Sequence, residues 1–203
     1  MATTFLLVRH GQTEWNRVER FRGRVDVPLN ETGLKQAEAT GRRVAEMARP
    51  VAIYSSPLSR AVKTAEAIGR STNLPVEVHP GLIDIDYGDW QGLTPEEARS
   101  RWPEMIAAWY TSPGLAAIPG GETLGEIRLR AMRTVVELSA RHAGQTILML
   151  SHTVINRIIL MGVLGVGNER FWRIRQEPCA INVFEAEAGE YTLVSLNDTC
   201  HLS

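Results

Sequence analysis

Two histidines stand where apolar runs stop. Phe5 to Val8 leads into Arg9-His10-Gly11, and Ile147 to Leu150 leads into Ser151-His152-Thr153. Apolar runs of this length read as short buried strands, and a glycine lets the backbone turn or approach a ligand closely. An imidazole near pH 7 serves as a neutral nucleophile or base, or as a cationic donor. Arg9 adds a planar fork suited to phosphate or carboxylate. A lone histidine at a strand end more often satisfies a structural hydrogen bond. Two strands that each deliver one fit the rule that open α/β sheets bind ligands beyond their carboxyl ends.

Other charged groups join them. Ser56-Pro57 reads as an N-cap and first-turn pair, which opens a helix striped by Leu58, Ala61, Val62, Ala65 and Ile68. Arg60 then lies in a first turn, where the helix dipole disfavours a cation unless an anion joins it. The stretch Arg20 to Asn30 is a polar loop carrying Arg22, Gly23 and Arg24. Gly81 to Gly92 is a glycine-bounded loop with Asp84, Asp86 and Asp89, a pattern commonest in solvated turns. No His-x-Glu or His-x-x-x-His spacing appears, and Arg9 beside His10 repels a cation, so no metal is expected.

The elements that must position these groups follow from periodicity. Leu34, Ala37, Gly41, Val44 and Ala48 mark an amphipathic helix from Gly33, which Pro50 ends. Val51 to Tyr54 and Pro75 to Pro80 read as strands, Thr94 opens a helix, and Trp102, Trp109 and Tyr110 form an aromatic insertion used for packing. A long helix follows Gly120-Gly121-Glu122-Thr123, with Leu124, Ile127, Ala131, Val135 and Leu138 on one face. Another begins near Val154. Ala180 to Ala186 and Glu190 to Leu196 pair antiparallel through Gly189. The expected fold is an α/β three-layer sandwich, with a mostly parallel sheet, helices on both faces and an antiparallel edge, over 1–203 as one domain.

With 203 residues and a net charge of -1, no basic stripe for nucleic acid or an anionic membrane is present. Cys179 and Cys200 have neither the number nor the spacing of a disulfide framework, and no export signal or spanning segment is read. A cytoplasmic setting is the simplest expectation.

Leu7 to Asn16 resembles the signature of the histidine phosphatase superfamily, the phosphoglycerate-mutase-like group. Ser55 to Ala61, Gly88 to Gly92, Gly120 to Thr123 and Ser151 to Thr153 resemble its later blocks, in the family's order. The resemblance implies that His10 is the phosphorylated nucleophile, that Arg9 and Arg60 clamp the phosphoryl group, and that His152 donates to it. Asp84 falls where the family has its general acid, usually Glu. On the substrate side it implies Asn16, Arg22 (often Gln in the family), Gly23, Glu122 and Thr153. Residues 84–88 and 197–203 resemble metal-independent phosphoserine phosphatases, which adds His201 and Tyr87, the latter standing where those enzymes commonly have His.

The implied activity is cofactor-free hydrolysis of a small phosphorylated metabolite such as phosphoserine, through a phosphohistidine, by a chain that can form a homodimer. Phosphoglycerate mutase and α-ribazole phosphatase activities are the alternatives within the family. An inactive phosphate- or phosphoprotein-binding module is the alternative outside it.

Overall fold

The computed structural model describes residues 1–202. Six strands form one sheet in the order β3-β2-β4-β1-β5-β6. They are β1 (Thr3–Arg9), β2 (Ala52–Ser55), β3 (Val76–Val78), β4 (Thr146–Ser151), β5 (Ile181–Glu187) and β6 (Glu190–Asp198). The first four run parallel, while β5 pairs antiparallel with both β1 and β6. Among the described residues the α-helices are α1 (Glu14–Arg17), α2 (Glu31–Met47), α3 (Ser59–Thr72), α4 (Pro95–Arg101), α5 (Pro103–Thr111), α6 (Leu124–Arg141) and α7 (Thr153–Val163).

Alternation along the central strands sends side chains to two cores. Leu6, Val8, Leu148 and Leu150 pack with Val44 of α2 and Ala61, Ala65 and Ile68 of α3. Phe5, Leu7, Ile147 and Met149 pack with Ile127, Ala131 and Val135 of α6 and Ile155 and Ile158 of α7. Burial on both faces is why these strands read as unbroken apolar runs. The fold is the three-layer α/β sandwich expected, with β5 and β6 as its antiparallel edge.

The aromatic insertion packs as expected. Trp109 is buried, with its ring against Trp90, Phe171 and Trp172. Local boundaries differ. The second helix begins at Glu31, because the Asn30 side chain accepts the Gly33 N–H and caps it earlier than the apolar stripe suggests. The third begins at Ser59 with Leu58 at its cap, not Ser56, whose hydroxyl accepts the Leu58 N–H at 3.4 Å, ahead of the helix, and lies 2.7 Å from Nε2 of His152. The one-turn α1 is too short for periodicity to reveal.

The start of α2 lies against the loop that carries His10. A Cβ added to Gly33 would stand 2.1 Å from the Gln12 carbonyl oxygen, and one on Gly11 2.6 Å from the Gly33 carbonyl oxygen. Overpacking against fixed backbone costs about 1–3 kcal/mol. Gly33→Ala is therefore expected to lower stability by about that amount in urea titrations and to reduce turnover by displacing His10. An unchanged unfolding midpoint would refute this account of the contact.

Candidate active site

Strand register brings the two histidines together. In the parallel pair β1 and β4, Arg9 stands opposite Ser151, and the His10 N–H donates to the Ser151 carbonyl at 3.0 Å. His10 and His152 therefore leave the sheet side by side, with ring centroids 5.1 Å apart. On the other side of β4, the Ser56 N–H donates to the Leu150 carbonyl at 2.9 Å. That places the Ser56 hydroxyl 2.7 Å from Nε2 of His152.

Hydrogen bonding sets the tautomer of His10. Its Nδ1 lies 2.6 Å from the Gly11 carbonyl oxygen, which can only accept, so Nδ1 carries the proton. Nε2 keeps its lone pair, buried and without a hydrogen-bond partner among the described residues. Burial, then the charges of Arg60, His152 and Arg9, hold the ring well below the usual histidine range. His10 is thus neutral at physiological pH. Burial and Arg60, followed by Arg22 and Arg9, do the same to His152, whose Nδ1 lies 3.5 Å from Oδ2 of Asp84.

Arg60 reaches this point from the first turn of α3, fully buried. Its Nη1 donates to the Val25 carbonyl at 2.9 Å, and its Nη2 to the Gly23 carbonyl at 2.7 Å and to Asp84 Oδ2 at 3.1 Å. Three acceptors in the plane of one guanidinium fix its direction. Burial raises the carboxyl of Asp84 above its ordinary value, against the opposing pull of Arg60 and Arg22. Arg9 donates to the Gln176 carbonyl. Burial, with help from Arg22 and Arg157, lowers it to about 9, which leaves it cationic at neutral pH. The buried Nε groups of Arg9, Arg22 and Arg60 have no partner among the described residues, an arrangement that an anion completes.

Replacing Arg60 with Lys keeps a charge but not the fork. A point charge cannot span Gly23, Val25 and Asp84 together. We expect Arg60→Lys to fold, by circular dichroism, and to lose about a hundredfold in kcat/KM, the scale of one preorganised donor. A loss under threefold would show that the fork does not matter.

A cavity of about 410 Å³ opens above this constellation, a size suited to a small molecule. Arg9 and Asp84 line it, as do Asn16, Arg22, Gly23, Tyr87 and Thr153 from the sequence reading. His10, Arg60 and His152 are fully buried and lie outside that lining. The Asn16 Oδ1 is already engaged, accepting the Thr13 N–H at 2.9 Å.

Two expected substrate residues are not at the cavity. Glu122 instead binds Arg130, at 3.0 Å to both Nε and Nη2, and accepts the Asp86 N–H at 2.9 Å. Arg130 in turn donates to the carbonyls of Gly81, Ile83 and Asp84 at 3.1, 2.8 and 3.2 Å. The pair is a clasp on the segment that carries Asp84. His201 is also corrected. It follows the outermost strand, β6, and packs on α2, with Nε2 3.1 Å from the Thr40 hydroxyl and a separate hollow beside Arg42 and Arg43. Of the other acidic candidates, Asp86 pairs with Arg24 at 3.3 Å, and Asp89 is exposed.

Sequence reasoning missed Ser56, Arg130, Gln176 and Arg157. Only Arg157 carried a signal, since it is four residues after Thr153 and shares its helix face. Among the described residues, no three His, Cys, Asp or Glu side chains converge as a metal site requires. No helix there is long and apolar enough to cross a membrane.

Comparison with known proteins agrees with this geometry. A family model of the histidine phosphatase superfamily (branch 1) matches residues 5–199. Phosphoserine phosphatase 1 of Hydrogenobacter thermophilus is 36% identical over 197 residues, covering 97% of this chain and 93% of that protein. The structure of Bacillus stearothermophilus YhfR superposes with a TM-score of 0.94 at 30% identity, covering 99% of this chain and 100% of that one. Phosphoserine phosphatase from Entamoeba histolytica, solved in complex with 3-phosphoglyceric acid, superposes with a TM-score of 0.86 at 26% identity, covering 99% and 100%.

Proposed function

Because the chain belongs to the histidine phosphatase superfamily and is a phosphatase, we propose that it hydrolyses a small carboxylated phosphomonoester, phosphoserine first, through a phosphohistidine on His10. One observation carries this reading: the partnerless, buried Nε2 lone pair of His10 among Arg9, Arg60 and His152. The names of the Hydrogenobacter and Entamoeba relatives support the substrate class. Residues 1–203 act as one catalytic domain in this reading.

Asp84 contacts both Arg60 and His152 and lines the cavity, and in this reading the phosphoryl oxygens enter beside it. The arriving dianion takes Arg60 from the carboxylate. Arg9 and Arg60 then hold the nonbridging oxygens, and His152 donates to one of them. Nε2 of His10 attacks phosphorus in line, the P–N bond forms as the ester P–O bond breaks, and protonated Asp84 gives its proton to the departing oxygen. The resulting carboxylate takes a proton from water, whose oxygen attacks phosphorus. Inorganic phosphate leaves as the P–N bond breaks, and Asp84 is again protonated. Every group that this sequence requires is present, which counts against an inactive binding module.

A turnover panel tests the reading. Phosphate release from phosphoserine should exceed that from p-nitrophenyl phosphate by at least about tenfold in kcat/KM, the scale of one charge-assisted contact. Phosphoryl exchange between phosphoglycerates faster than phosphate release would instead make the enzyme a mutase.

A further inference from the structure

The phosphoryl cradle does not use all the positive charge that faces the cavity. Arg157 lines it too, projecting from α7 one turn beyond Thr153, about 6 Å further along the helix axis. Its Nε donates to the Ile174 carbonyl at 2.7 Å. Its guanidinium carbon lies 5.1 Å from the ring centre of Phe171 and 5.0 Å from that of Trp172. Trp172 is itself held, donating from Nε1 to the Trp109 carbonyl at 2.8 Å. The fork is thus clamped by backbone and aromatic rings, with no carboxylate of the described residues within 4.0 Å.

Its neighbours separate it from the phosphoryl end. Arg60 is bonded to Asp84 at 3.1 Å, whereas Arg157 is bonded to the Ile174 carbonyl, and burial is the main influence on its ionisation. Glu177 is paired with Arg175 at 2.9 Å. Glu19, exposed at the rim, also lines the cavity but makes no ion pair with Arg157. A half-buried arginine beside Arg9, with no anion of its own, is an unfavourable arrangement that a second negative group on the substrate corrects.

We propose that Arg157 is a specificity-determining residue that binds a carboxylate on the leaving-group side of the substrate. The enzyme then selects phosphomonoesters of hydroxy and amino acids over analogues that lack the carboxylate. The inference rests on the phosphatase reading above, with the phosphoryl group at His10, but not on phosphoserine being the preferred ester.

Two substrate pairs differ only in that group: 3-phosphoglycerate against glycerol 3-phosphate, and phosphoserine against phosphoethanolamine. In the wild-type enzyme the carboxylated member should lead by about 10- to 100-fold in kcat/KM, the range for a hydrogen-bonded charge. In Arg157→Gln both ratios should collapse towards unity, mainly through KM for the carboxylated member, while Arg157→Lys keeps part of the preference. Calorimetric binding of the same four compounds to His10→Ala protein gives the comparison without turnover or an Arg157 variant. Wild-type ratios near one, or ratios that survive Arg157→Gln, overturn the proposal. Ratios that hold while 3-phosphoglycerate outruns phosphoserine would overturn phosphoserine as first substrate and leave Arg157 in its role.

Discussion

His10→Ala protein is expected to fold and to release phosphate at under about a hundredth of the wild-type rate, the usual scale for loss of a nucleophile. It should also acquire no acid-labile phosphoryl label from a radiolabelled substrate. The two histidines are close enough that either could be named the nucleophile, and hydrogen bonding separates them. Nδ1 of His10 is committed to the Gly11 carbonyl, which leaves Nε2 free. Nε2 of His152 is committed to the Ser56 hydroxyl, and its Nδ1 faces Asp84. His152→Ala should therefore slow turnover yet still trap a labelled enzyme. Labelling of His10→Ala would transfer the nucleophile's role elsewhere. Because burial keeps His10 neutral well below the usual histidine range, the acid limb of kcat/KM should follow the substrate's second phosphate ionisation, near pH ~6, and not an imidazole.

Asp84→Asn should be nearly as damaging, but only where the leaving group needs a proton. For an alkyl ester such as phosphoserine, the loss in kcat is expected to be about 10²- to 10⁴-fold, the contribution of a positioned acid. For p-nitrophenyl phosphate it should be far smaller, since nitrophenolate departs unprotonated. Equal losses on both esters would remove Asp84 from the acid role. The pH profile has a definite sign. Asp84 must be protonated in the first step, so kcat falls as pH rises through its carboxyl ionisation, which burial has raised. In the free enzyme Arg60, 3.1 Å away, favours the carboxylate; in the complex the phosphoryl group competes for Arg60. The basic limb of kcat should accordingly lie at higher pH than that of kcat/KM, and Asp84→Asn should lose this limb.

The three layers were legible in the chain because burial writes itself locally. A strand covered on both faces is apolar throughout, as in β1 and β4, and a helix covered on one face is striped, as in α2 and α6. The histidine pair was legible for a related reason. Each ring directly follows such a strand, and parallel strands end at a common edge, so His10 and His152 needed only adjacency to meet. Adjacency itself is a matter of strand order, in which β4 inserts between β1 and β2.

The remaining assignments depended on contacts between distant segments, which no local pattern encodes. Ser56 has the composition of a helix cap, and only the β2–β4 register turns its hydroxyl to His152. Glu122, just before α6, and Arg130, in its second turn, reach across to clasp the Asp84 segment, and His201 is carried away from the cavity by the outer position of β6. Sequence alone thus determined which groups stand at strand and helix ends, because secondary structure and burial have short periods. Tertiary structure decided which of them share a hydrogen bond, because those bonds form over a few ångströms and are set by how the elements pack.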